Sequence, residues 1–125
     1  MSEIASIKFN IKIESEFKTQ LFEASGSSLK FTIRQMNHKD IVNTYPITND
    51  FYVKVDGITK EWAGMYKEKN VRTLDGESWD LSILYADSRK RISSGMNAYP
   101  NNYNRLIELL EGIINDCKVL IIDKK

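Results

Sequence analysis

Arg89, Arg91, Ser93, Ser94, Asn97, Asn101 and Asn102 are the residues whose types and spacing best suit holding a small anion. Two guanidinium groups and two hydroxyls lead into Pro100 and Asn101 or Asn102, a helix start signal. The free backbone N–H groups and positive dipole end of such a helix attract phosphate or carboxylate. The ligand implied is small and anionic, or nucleotide-like. The same segment also has a plainer reading. Gly95 permits positive φ, Asn97 can bond its own backbone, Pro100 presets φ, and Asn101 or Asn102 can cap the first turn. These residues would then only fix a strand-to-helix angle while Tyr99 and Tyr103 pack beneath it.

A second group of residues suits contact with a macromolecule. Lys8, Lys12, Lys30, Arg34 and Lys54, beside Tyr52, fall at the polar positions of alternating segments and are expected to project from one sheet face. Such a face can track a phosphate backbone, but Glu14, Asp56 and the balanced overall charge argue against nucleic acid. Trp62, with Met65 and Tyr66, is expected to be partly exposed and to anchor a protein partner, whereas Trp79 is in phase with Leu81 and Ile83 and belongs to the core.

Catalytic chemistry has little to work with. His38 is the single histidine and Cys117 the single cysteine, so any Ser-His-Asp or Cys-His arrangement depends on one imidazole in a polar stretch. No Cys/His spacing suits zinc, no carboxylate run suits calcium, and the six glycines are isolated rather than grouped into a phosphate or dinucleotide loop. The expectation is a protein that is not an enzyme, without metal or cofactor.

The elements that position these residues follow from hydrophobic period. Ile7, Phe9, Ile11 and Ile13 alternate with polar residues, as do Leu29, Phe31 and Ile33, then Phe51, Val53 and Val55, then Trp79, Leu81, Ile83 and Tyr85; each reads as a strand buried on one face. Residues 17–22 add a further strand, turning at residues 25–28 around Gly26. Asp75-Gly76 predicts a hairpin after residues 71–74, and Asp87-Ser88 a turn into a short basic strand over residues 89–93. Residues 58–66 fit helix and strand equally, and residues 37–50 read as a long loop or an edge excursion. Tyr103, Leu106, Ile107, Leu110, Ile113 and Ile114 recur at helical spacing, and Val119, Leu120, Ile121 and Ile122 suit a buried strand. The fold class expected is α+β: a single domain over residues 1–125, with a mainly antiparallel meander of about six to seven strands carrying one amphipathic C-terminal helix.

Leu74, Asp75, Gly76, Trp79, Ile83, Tyr85 and Asp87, followed by Gly95, Asn97, Tyr99, Pro100, Asn102 and Tyr103, resemble a C-terminal block of small uncharacterised bacterial proteins, written DGxxWxLxIxYxD then GxNxYPxNYxxL. The resemblance spans residues 51–115, and its second motif is the more specific. It implies a shared α+β domain and carries over no catalytic residues. Ser88 stands where a glycine is expected after the aspartate.

Eighteen Lys and Arg against seventeen Asp and Glu leave a net charge of +1, so no global field draws the chain to nucleic acid or an anionic membrane. The N-terminal residues lack a basic and apolar leader pattern, no apolar run approaches a membrane span, and neither a cysteine pair nor an Asn-x-Ser/Thr sequon occurs. A cytoplasmic protein is expected. The leading functional expectation is a stand-alone interaction protein that binds and regulates or inhibits another macromolecule, in the manner of small inhibitors made by bacterial viruses against host defences. A binder of a small anionic ligand is the alternative, nucleic-acid binding a weaker one, and a homodimer is compatible with the open sheet edges.

Overall fold

The computed structural model describes residues 3–13, 16–67 and 77–114. Alternating residues build β1 (Ile4–Ile13), β2 (Lys18–Ser25), β3 (Ser28–Gln35) and β4 (Ile41–Pro46), a consecutive antiparallel meander. The chain then forms α1 (Asn49–Thr59), the short β5 (Met65–Lys67), β6 (Glu77–Tyr85), β7 (Lys90–Met96) and α2 (Tyr103–Ile113). Among the described residues the sheet has seven strands in the order β4-β3-β2-β1-β6-β7-β5. Only β5, lying parallel to β7, departs from antiparallel pairing. The α+β class is therefore as expected, with two helices among the described residues in place of one.

Both helices pack on the same face of the sheet. Ile7, Phe9 and Ile11 of β1 share that face with Phe22 and Ala24 of β2, Leu29, Phe31 and Ile33 of β3, and Trp79, Leu81 and Ile83 of β6, all buried. Phe9, Phe22 and Phe31 stack across three strands, with ring centroids 5.8 and 4.7 Å apart. Leu106, Ile107 and Leu110 of α2 close over them, as the helical spacing predicts. Neither helix is long and apolar enough to cross a membrane.

The strand expected over Phe51, Val53 and Val55 is instead α1. Phe51, Tyr52, Val55 and Thr59 are buried on one helical face, while Val53, which a strand would bury, is 59% exposed. A period of two and a period of 3.6 coincide at positions 51 and 55, and the surrounding residues decide between them. Thr48 precedes the helix, Asp50 lies in its first turn, and Lys54 pairs with Asp50 at 3.0 Å, one helical turn away. Residues 37–50 hold the edge strand β4 and the start of α1, so the edge excursion is the correct alternative and the long loop is not. Residues 58–66 complete α1, turn at Lys60 and Glu61, and enter β5. The turn at Asp87 and Ser88 forms with Ser88 at φ 73°, the left-handed conformation that glycine adopts without strain. The hairpin turn at Asp75-Gly76, Cys117 and the strand expected at residues 119–122 lie outside the described residues.

Candidate functional site

Of the residues expected to gather around an anion, Arg91 and Asn102 are brought instead to the other helix, and to its carbonyl end. Arg91, half-buried on β7, donates from Nη1 to the carbonyl oxygen of Thr59 and from Nη2 to Thr59 Oγ1 at 2.8 Å. Its Nε donates to the Tyr85 hydroxyl at 3.2 Å, and that hydroxyl donates to Asp56 Oδ1 at 2.8 Å. Asp56 also lies 3.5 Å from Arg91 Nη2. Asn102 donates from Nδ2 to the Ile58 carbonyl at 2.7 Å. A cation and an amide donor thus satisfy the last carbonyls of α1, where the helix dipole is negative.

The other members of the group are equally engaged. Ser93 donates to the Ala63 carbonyl, and the Ser94 hydroxyl lies 3.5 Å from the Gly64 carbonyl, which pins residues 63 and 64 to β7. Asn97 accepts from the Glu77 backbone N–H at 2.9 Å and returns its own N–H to the Glu77 carbonyl. Arg89 stays in the exposed turn, ion-paired with Asp87 at 2.9 Å and lying over the Tyr85 ring. Asn102 precedes α2 but makes no side-chain capping bond, because its Oδ1 accepts from Trp62 Nε1 at 2.6 Å. Gly95 does not use positive φ; it is needed for a close approach to Trp79.

This arrangement separates two side chains that look alike in sequence. Arg89→Ala is expected to leave stability within about 0.5 kcal/mol, as for other exposed charges. Arg91→Ala is expected to cost about 2 kcal/mol, since it leaves carbonyl and hydroxyl groups of α1 without their charged donor. Urea unfolding of the two single variants measures the difference, and equal values would remove the capping role given to Arg91.

Trp62, expected to be partly exposed, is 9% exposed and packs against Trp79 and Tyr103, with centroids 5.4 and 6.1 Å away. Tyr66 turns to the same cluster and accepts from the Ala63 N–H. Tyr103 is buried in it, its hydroxyl without a hydrogen-bond partner among the described residues. Burial, with smaller contributions from Glu77 and Tyr99, pushes that phenol far above its ordinary range. Trp62, Tyr66, Tyr99, Pro100 and Asn101 line a cleft of about 380 Å³ between the end of α1 and the start of α2. The Trp62 indole N–H, the Asn102 amide and the Tyr66 and Tyr99 hydroxyls all bond within the protein, so these groups hold the fold together.

Among the described residues, no helix packs on the sheet face opposite α1 and α2. Register places Thr44, Lys30, Glu23, Lys8, Ser82 and Ile92 in one row across it. Lys12, Ser78 and Met96 align in another, and Met65 pairs with Ser94 between Ile92 and Met96. Ile92, Met96 and Met65 are 55%, 60% and 63% exposed. Lys30 and Arg34 do lie on this face, ion-paired with Glu23 at 3.7 Å and Asp40 at 3.0 Å. Tyr52 and Lys54 do not: they belong to α1, where the buried Tyr52 donates to the Gly26 carbonyl at 2.7 Å. The sequence reading missed Ile92 and Met96, although both sit in a strand at the alternate positions opposite Ser93 and Gly95. Among the described residues no group of three or more His, Cys, Asp or Glu side chains converges.

No protein-family model, curated protein or solved structure matches this chain. The reading of its function rests on its own geometry.

Proposed function

We propose that this protein is a non-catalytic binding module that docks a protein partner on the open face of its sheet and regulates or inhibits that partner by covering its surface. The observation that carries the reading is the cluster of Ile92, Met96 and Met65, exposed side by side at the β7–β5 end of a face that no helix covers among the described residues. Adjacent unbranched and branched apolar side chains provide area whose burial drives association, and methionine adapts to the contour it meets. Lys8 and Lys12 lie in the same rows. They favour a partner whose apolar contact is bordered by carboxylates, and they steer its approach.

Affinity capture from source-cell lysate, after nuclease treatment, tests this with three forms of the protein. Wild type and a Val53→Glu control, altered on the exposed side of α1, are expected to retain the same stoichiometric protein. A variant carrying Ile92→Glu and Met96→Glu is expected to lose it, while its stability stays within about 0.5 kcal/mol of wild type. Retention by the face variant, or equal loss by the control, would sink the proposal.

A further inference from the structure

The structure points to a second interaction surface at the far edge of the sheet, and we infer that its occupant is a second copy of this chain, paired antiparallel along β4. Among the described residues β4 is an edge strand, hydrogen-bonded on one side to β3. Alternate residues of such a strand direct their backbone N–H and C=O groups outward. Exposed edges are usually guarded by lysines, inward charges, bulges or early prolines. Residues 41–46 read Ile-Val-Asn-Thr-Tyr-Pro: no charge interrupts them, proline comes last, and the register with β3 runs from Ile41 to Pro46 without a shift. Ile41 and Val42 are 44% and 51% exposed. Among the described residues the other edge, β5, offers three residues.

Pairing with itself suits this strand better than pairing with β5. A two-fold axis through Asn43, perpendicular to the sheet, places Ile41 opposite Tyr45 and Val42 opposite Thr44, each residue on the same face as its partner. Aromatic and β-branched residues are favourable cross-strand neighbours, and no like charges oppose one another within residues 41–46. Among the described residues the helices leave Ile41, Val42, Asn43 and Thr44 exposed. α1 starts just after β4 and runs away from it, reaching Gly26 through Tyr52, Tyr85 through Asp56 and β7 through Thr59 and Arg91. The result is one continuous sheet across two copies, with both open faces on the same side, so a partner surface meets two binding faces at once.

The register makes the test specific. Sedimentation velocity over a concentration series is expected to show wild type as a reversible dimer. In the variant with Val42→Lys and Thr44→Lys, the new lysines oppose each other twice across the interface, and self-association is expected to weaken at least about a hundredfold. In the variant with Val42→Lys and Thr44→Glu, the same register pairs opposite charges twice, and the dimer is expected to return. Far-UV circular dichroism checks that both remain folded, as exposed positions allow. A wild type that stays monomeric up to its solubility limit overturns the inference, as does a charge-swapped variant that dimerises no better than the double-lysine form. The face variant of Ile92 and Met96 leaves β4 intact, so loss of the partner and loss of the dimer are read separately.

Discussion

Gly95→Ala is expected to destabilise the protein by about 3 kcal/mol, a large share of the stability of a domain this size. A methyl group at this position would lie 2.5 Å from Nε1 and 2.8 Å from Cε2 of Trp79, and closer still to the carbonyl oxygen of Ala98. Those atoms are themselves bonded, Trp79 Nε1 donating to Ala98 at 2.9 Å, so the methyl wedges into a hydrogen bond. Trp79 has little freedom to retreat. It is 2% exposed and meets the rings of Phe9, Trp62, Tyr66 and Tyr103 at 5.4 to 6.4 Å. The cost combines overpacking with the loss of a buried hydrogen bond. Urea unfolding gives the magnitude, and the double variant with Trp79→Phe gives the cause. Removing the larger ring opens the space, so the alanine should cost much less in the Trp79→Phe background than in wild type. An unchanged cost would show that the indole is not what excludes the methyl.

Gly95 also shows where the sequence could be read and where it could not. The sequence suggests a positive φ in a connector, whereas Gly95 is a strand residue of β7 without positive φ. The position opposite it in the register is Trp79, and only strand pairing reveals that the indole lies across it. The strands led by Ile7, Leu29 and Trp79 were legible because each buries one face, and a period of two then records the packing directly. α2 was legible for the same reason at 3.6 residues. The sequence of α1 is ambiguous because Phe51 and Val55 satisfy both periods; Thr48 and the Asp50–Lys54 spacing are the signals that distinguish them. The chemistry around Arg91 was beyond local reading. Its partners Asp56 and Thr59 lie more than thirty residues away in sequence, and nothing near Arg91 itself distinguishes it from Arg89. The open face was half legible: Lys30 and Arg34 followed from alternation, but its apolar end required knowing that β5 joins β7.

Asn102 gives the sharpest separation between the role its sequence suggests and the role its geometry assigns. As a helix N-cap it would accept from first-turn N–H groups, and aspartate would serve as well or better there, since a carboxylate favours the positive end of the dipole. In the structure its amide uses both ends elsewhere, accepting from the Trp62 indole and donating to the Ile58 carbonyl. Asn102→Ala leaves that half-buried donor and acceptor unpaired and is expected to cost about 2–3 kcal/mol. Asn102→Asp keeps an acceptor for Trp62 but sets carboxylate oxygen against carbonyl oxygen at the negative end of α1. It is therefore expected to destabilise at neutral pH. The loss should shrink on acidification, because protonation restores a donor to Ile58; a carboxyl whose folded-state affinity for protons is raised stabilises at low pH and ceases to as pH rises. Thermal unfolding of the aspartate variant, measured relative to wild type from neutral to acid pH, distinguishes the roles. A neutral or stabilising substitution would return Asn102 to capping, whereas a deficit that closes toward acid pH identifies the side chain that ties the end of α1 to the start of α2.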